Sequence, residues 1–333
     1  MKKPYEPKTY YMLSLDPIHV GTGGYRLGRV DNTITREPGT NLPKIPGSSI
    51  AGVSRAYTAM AIQSENNEDP VRTEEKWWVI DYEKYKKWKY QRPDYVFLRD
   101  PSSDIIKYNS EGKAIITPNT NGPMIRKDEN IDIYYSCAGK GANDGEGHCG
   151  SPDCEVCVAF GFSKQSGSFQ GLAQFSDARI LFFPVHSMIG PVWITCSSIL
   201  KELAISANNG LTYDDEQILT NLVDRDKQLN LGWIYLKNKE KSPPIIDTMP
   251  KIPTEIFNRL VLVSDKLFPR IVNDNLEVRT SVAINPATGA AEEKALFTYE
   301  AIPRATVMCF DVVYNKPEYF RIKINENDTP IQT

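Results

Sequence analysis

From Thr9 to Leu15, aromatic and apolar residues alternate with polar ones, the period-two pattern of a strand with one buried face. The chain then enters turn-rich sequence, His19-Val20-Gly21-Thr22-Gly23-Gly24 and on through Gly28 to Asn32. Pro46-Gly47-Ser48-Ser49 reads as a turn and helix cap, and Ile50 to Ile62 suits an alanine-rich helix with Ile50, Val53, Tyr57 and Met60 as its apolar positions. Leu172 to Asp177 and Ala178 to Val185 read as strands, the second carrying an apolar run at Ile180 to Phe183 that predicts burial. Helices are predicted over Ile199 to Ala207, over Tyr213 to Asp226, where Ile218, Leu219 and Leu222 have helical spacing, and over Glu255 to Leu260. The last third returns to strands: Leu276 to Ile284, a turn at Asn285 to Gly289, Leu296 to Ala301, and Thr306 to Tyr314. The first two are expected to form a long hairpin. The mixture predicts an α+β fold.

Between these halves the character changes. Ser64 to Pro70 is polar and acidic, and the chain stays irregular as far as a cysteine cluster. The expected organisation is therefore a first part of the core at 1–63, an insertion or lid at 64–160, and the rest of the core at 161–333. Within the insertion, Lys84-Tyr85-Lys86-Lys87-Trp88-Lys89-Tyr90-Gln91-Arg92 interleaves cations with aromatic rings. That pattern suits either single-stranded nucleic acid or a solvated helix with an aromatic inner face.

Composition changes the picture in one respect. The 333 residues are 41% hydrophobic, enough for a sizeable core, and the formal net charge is −3, so indiscriminate attraction to nucleic acid is not expected and any such site must be a local patch. The sequence has no apolar run of about 18 residues and no signal-like start, which makes a cytoplasmic protein the expectation.

Candidate chemistry falls in two places. Cys137, Cys149, Cys154 and Cys157 offer four soft thiolates on glycine-rich chain, a set that fits a closed structural zinc site, with His148 as an alternate to Cys149. Cys196 and Cys309, alone in strand-like sequence, read as small buried hydrophobes. The second place is the helix start: the backbone N–H groups and hydroxyls of Ser48 and Ser49 suit a phosphate. The Gly21 to Gly24 loop permits close approach, and Arg26, Arg29, Arg36 and Arg55 can pair with phosphates.

At His19-Val20-Gly21-Thr22-Gly23, Arg29-Val30-Asp31-x4-Arg36-Glu37 and Ile45-Pro46-Gly47-Ser48-Ser49-Ile50-x-Gly52, the chain resembles the RAMP superfamily, in particular the repeated backbone subunit of type III (Cmr-type, III-B-like) CRISPR effectors. Phe175-Ser176-Asp177-Ala178-Arg179, Gly190-Pro191-Val192 and Leu296-Phe297-x2-Glu300-x2-Pro303 extend the likeness along the chain. The resemblance implies an RNA-recognition-motif-like (ferredoxin-like) core with a zinc-stapled insertion. It implies stacking of copies and other effector subunits along a guide RNA, and a β-hairpin thumb at about 276–301. It also implies cleavage of target RNA at Asp31 with a divalent metal such as Mg2+ or Mn2+, leaving a cyclic phosphate and a 5′-hydroxyl. Asp31 would there hold a metal or accept a proton. RNA contacts are expected from His19, Gly21, Gly23, Arg26, Arg36, Ser48, Ser49, Arg55 and Arg279. Ala51 stands where the family commonly has lysine. A subunit that binds guide without cutting and a stand-alone RNase that processes guide precursors are the alternative readings.

Overall fold

A ten-stranded sheet organises the first of two units, residues 1–52 with 172–319. The computed structural model describes residues 3–23, 30–65, 71–72, 95–97, 107–108, 114–115, 125–127, 133–134, 137–139, 147–164, 167–203, 215–241, 252–284, 291–324 and 327–331. The strands of this unit are β1 (Tyr5–Leu13), β2 (Lys44–Ile45), β3 (Ala173–Phe175), β4 (Ala178–Val185), β5 (Val192–Cys196), β6 (Gln217–Thr220), β7 (Gln228–Leu231), β8 (Ile234–Lys241), β9 (Leu260–Val263), β10 (Glu277–Ile284), β11 (Ala291–Ala301) and β12 (Val307–Asn315). The sheet runs β1-β12-β4-β5-β9-β6-β8-β7, with β3 also on β12 and β2 also on β4. Only β5–β9 and β6–β8 are parallel pairs within it. The fold is thus α+β and dominated by sheet.

Both faces of this sheet are packed, and the apolar runs are the reason. Ile180, Phe183, Ile194, Ile218, Val261 and Met308 enter one core, while their strand neighbours Leu181, Phe182, Trp193, Leu219, Leu262 and Cys309 enter another. Phe268, Ile271 and Val272 of a helix at Leu267–Asp274 join the first core, and Leu200 and Ile256, from helices at Ser197–Glu202 and Thr254–Phe257, join the second. Each such side chain contributes about 2 kcal/mol by leaving water. Cys196 and Cys309 are buried in these cores, and burial pushes both thiols up to about 11.

The same two-sided burial corrects one predicted element. Gln217–Thr220, inside the helix predicted over Tyr213 to Asp226, is a strand whose adjacent Ile218 and Leu219 point into different cores. A run buried on both faces has no alternation to distinguish it from a helix. The helix expected at Ile199 to Ala207 is Ser197–Glu202 where described, and that at Glu255 to Leu260 is Thr254–Phe257, with Leu260 opening β9. The expected hairpin forms from β10 and β11, paired from Glu277↔Ala301 to Ile284↔Ala291; its turn lies outside the described residues.

The first long helix, α1, runs Gly47–Glu65. Of its predicted apolar positions, Ile50 packs against the first core, but Val53, Tyr57 and Met60 are 58%, 69% and 39% exposed, whereas Arg55 and Ala59 are buried. Its start needs glycine, because a Cβ on Gly47 would lie 2.3 Å from the Phe175 carbonyl oxygen.

The second unit comprises residues 53–171 and 320–333. Its small core joins Ala59, Cys137, Val156, Cys157, Phe162 and Ile322. Two hairpins border it, Phe162–Lys164 with Gly167–Phe169 and Arg321–Ile324 with Asn327–Pro330. The Lys84 to Arg92 run lies outside the described residues.

One ion pair ties the glycine loop to the sheet unit. Glu300, on β11, is 8% exposed, and its Oε2 accepts from Arg36 Nη2 at 2.8 Å and from the Ile34 N–H at 3.3 Å. Arg36 also donates through Nε to Asn273 and through Nη1 to the Ile34 carbonyl. Backbone bonds repeat the tie, Ile18 exchanging two with Ile302 and Asn32 bridging Thr298 and Glu300. Removing one member of a buried pair strands the other's charge, at a cost of about 3 kcal/mol. Glu300→Ala should therefore lower unfolding free energy by about that much in urea titration. Glu202→Ala, which breaks the exposed pair with Arg179, should cost under about 1 kcal/mol; equal losses would contradict the anchoring role.

Candidate functional site

Asp31 is exposed, yet its carboxylate is fixed. Its Oδ2 accepts from the Thr298 N–H at 2.7 Å and the Thr298 hydroxyl at 2.9 Å, while its own N–H donates to that hydroxyl at 3.2 Å. The backbone N–H of Thr298, then its hydroxyl, holds the Asp31 carboxyl below the usual carboxylate range. Hydrogen bonds to a charged form stabilise it. Both hydrogen bonds fall on Oδ2, so among the described residues Oδ1 accepts none. The group is a fixed anion suited to a cation, and a poor proton acceptor near neutrality.

His19 is held two positions further along the same strand. Its Nδ1 lies 2.6 Å from the Glu300 carbonyl oxygen, which can only accept, so Nδ1 carries the proton and a neutral ring presents Nε2 as an acceptor. The ring meets Tyr299 edge-on, with centroids 5.0 Å apart. Gly21 leaves room beside it, since a Cβ there would lie 3.0 Å from Nε2. Gly23 has φ 74°, a left-handed conformation that favours glycine, and is exposed with open space around it. Arg26 and Arg29 lie outside the described residues. Thr298 and Tyr299 complete this site without having been singled out in the sequence, and Glu300 lies in a matched motif that does not reveal its carboxylate's partner.

The remaining expected contacts divide. Ser48 is exposed and Ser49 half-buried at the start of α1. An anion already sits there: Asp177 accepts from the Gly47 N–H at 2.8 Å, and its other oxygen pairs with Lys44 at 2.6 Å. Lys44, then the Gly47 N–H, holds the Asp177 carboxyl below its ordinary range. The cap is thus supplied by a residue 130 positions away rather than by the serines. Arg36 is committed to Glu300, and Arg279 is half-exposed with Glu277 3.7 Å away. Arg55 does not face solvent: its Nε and Nη1 donate to the carbonyls of Cys137 and Gly161, each at 2.6 Å. On β10 and β11, Val278, Val282 and Leu296 are 41%, 43% and 63% exposed, an apolar hairpin surface.

The four cysteines converge in the second unit, with all sulfurs within 4.8 Å of one another and none in a disulfide. The Cys149–Cys157 and Cys137–Cys154 sulfurs are each 3.8 Å apart. Ligands about 2.3 Å from a tetrahedral zinc stand about 3.8 Å from one another, so the cluster has the dimensions of that ion. Backbone N–H groups point at three of the sulfurs: Cys149 at Cys137, Ser151 at Cys149 and Cys157 at Cys154. Cys137 at φ 65° and Gly150 at φ 68° make the turns that bring them together. Without a cation, the neighbouring Cys137 sulfur pushes the Cys154 thiol up to about 12. His148 stands outside the set, its Nδ1 2.8 Å from Arg55 Nη2.

The curated CRISPR system Cmr endoribonuclease Cmr4 of Pyrococcus furiosus is 24% identical over 156 residues, 41% of this chain and 53% of that protein. The match thus spans about half the relative's length. A chain of the type III-B Cmr-beta complex in its apo state superposes with a TM-score of 0.49 at 13% identity, covering 93% of this chain and 84% of that one. The same complex bound to cognate target RNA gives 0.49 at 14% identity, covering 94% and 86%. Oligomeric Cmr4 from Pyrococcus furiosus gives 0.43 at 15% identity, covering 93% and 82%. The sequence profile of the RAMP superfamily matches residues 13–328 of the 333, and the chain belongs to that superfamily.

Proposed function

We propose that this chain is a guide-RNA-binding backbone subunit of a Cmr-type, type III CRISPR effector, and that it cuts complementary target RNA. The observation that carries the reading is the exposed Asp31 carboxylate, ionised and held by Thr298 in a chain whose superfamily match runs from residue 13 to residue 328. The Cmr endoribonuclease Cmr4 of Pyrococcus furiosus, a curated relative, supports the reaction class. The partners proposed are guide RNA, target RNA, further copies of the chain and other effector subunits, working in the cytoplasm. No helix among the described residues is long and apolar enough to cross a membrane.

The reaction proposed is attack by a ribose 2′-oxygen on the adjacent phosphorus. The P–O bond to the 5′-oxygen breaks, leaving a cyclic phosphate and a 5′-hydroxyl; the nucleophile's proton leaves and the leaving oxygen gains one. A 2′-hydroxyl brought into line is a positioned nucleophile, so orientation supplies much of the rate. His19 Nε2, an open acceptor in the neutral ring, suits the 2′-proton. Asp31 Oδ1 suits a divalent cation such as Mg2+ or Mn2+, which would neutralise charge at the phosphate. Exposed Val278, Val282 and Leu296 suit a thumb that presses between bases, and Gly21, Gly23, Ser48, Ser49, Arg26 and Arg279 are proposed along the RNA path. The core is proposed to be RNA-recognition-motif-like, on the strength of β1 leading to α1 and the antiparallel β1–β12–β4 neighbours. The four cysteines are proposed to hold a structural zinc that staples the second unit.

In reconstituted effector, Asp31→Ala should abolish target cleavage while guide-RNA affinity stays within about twofold, since an exposed residue that holds a cation contributes little to duplex binding. Unchanged cutting would remove Asp31 from the mechanism and favour the non-cutting reading. Because Asp31 titrates below its ordinary range, its anion is lost only in acid below that range, and the cleavage rate should show no inflection from it between about pH 5 and 8.

Metal analysis should give about one zinc per chain, and below about 0.5 the structural site is wrong. Zinc must displace protons from thiols held high without it, so affinity should fall as pH drops from about 8 to 6, read by chelator competition. A flat profile would contradict thiolate ligation.

A further inference from the structure

Arg55 is buried in the second unit, and its surroundings are unusual for a cation. It is 9% exposed, and among the described residues no carboxylate pairs with it. Its guanidinium donates instead to two backbone carbonyls, to His148 Nδ1 and, at 4.0 Å, to the Cys157 sulfur. Among the described residues, neutral acceptors satisfy its hydrogen bonds but leave its charge uncompensated, and burying an uncompensated charge costs several kcal/mol. The compensating anion must come from nearby. Four thiolates around one divalent zinc leave a net charge of about −2, and the guanidinium lies against that cluster.

We propose that Arg55 is the built-in counter-ion of the four-cysteine metal site, and that it also withholds His148 from the metal. The inference rests on the zinc reading of the same site given under Proposed function. Two details fit it. Arg55 Nη2 can only donate, so His148 Nδ1 accepts, which commits that nitrogen to Arg55 and leaves Cys149 as the fourth ligand. The clamp also spans the metal loop, because the carbonyls it holds belong to Cys137, the first ligand, and Gly161, which ends the short helix Glu155–Phe160 carrying Cys157. Lys164, donating to the Cys149 carbonyl at 3.3 Å, adds a second cation on the exposed side. The phosphate-facing role expected of Arg55 from sequence is replaced by this one.

The test is zinc affinity and thermal unfolding of the full chain, with and without zinc. Arg55→Gln should weaken zinc binding by roughly 10- to 100-fold in competition with a chromophoric chelator, the range seen for groups that support metal ligands. The same variant should melt lower than wild type when zinc-loaded, but equal to or higher than wild type after zinc is stripped, because the metal-free wild type buries a cation with no anion. A melting loss of the same size in both states would mean a carbonyl clamp only and would overturn the proposal. If Arg55→Gln does not fold, Arg55→Lys decides. A counter-ion role keeps zinc affinity within about tenfold of wild type, since the charge remains. A drop of roughly 100-fold or more would again mean that only the fork geometry matters. Zinc content near zero in wild type would instead sink the zinc reading itself, a failure distinct from unchanged zinc affinity in Arg55→Gln.

Discussion

The Glu300 carboxylate is the constraint on which the candidate RNA site depends. A nearly buried anion must find donors, and it finds them in Arg36 and the Ile34 N–H, both on the segment that follows the glycine loop. That requirement brings Ile18, His19 and residues 31–36 against the root of the β10–β11 hairpin. Once there, Thr298 lies under Asp31 and the Glu300 carbonyl lies at His19. Asp31 and His19 are thus aligned by a single strand, and a rigid strand places them more precisely than the loop alone would.

The two ends of the site differ in how they treat charge. Asp31 is in solvent, where its anion is cheap to maintain and open to a cation. The start of α1 already holds an anion, Asp177, whose charge is shared with Lys44. Favourable helix-end electrostatics are therefore partly used within the protein. In the second unit the logic is reversed, with a buried guanidinium set against a cluster of sulfurs rather than carboxylates.

How much of this was legible in the sequence followed from how local the determining contact is. The strands β4, β10, β11 and β12 and helix α1 could be read because their patterns are carried by adjacent residues. Gln217–Thr220 could not, since Ile218 and Leu219 enter opposite cores and erase the alternation. Cys154 and Cys157 suggest a metal site by their spacing, but that Cys149 rather than His148 joins their cluster becomes visible only in the fold, where His148 is bonded to Arg55, 93 positions earlier. Thr298 is likewise an ordinary strand residue until Asp31, 267 positions earlier, is folded onto it. An arginine about two turns beyond a glycine-serine helix start looks phosphate-facing until its burial is known, and Arg55 is buried.

The central claim is that this chain works as a repeated, RNA-bound unit. Native mass measurement of the ribonucleoprotein reconstituted with guide RNA tests it most directly. The account predicts several copies of the chain on each guide; a single copy per guide would contradict it.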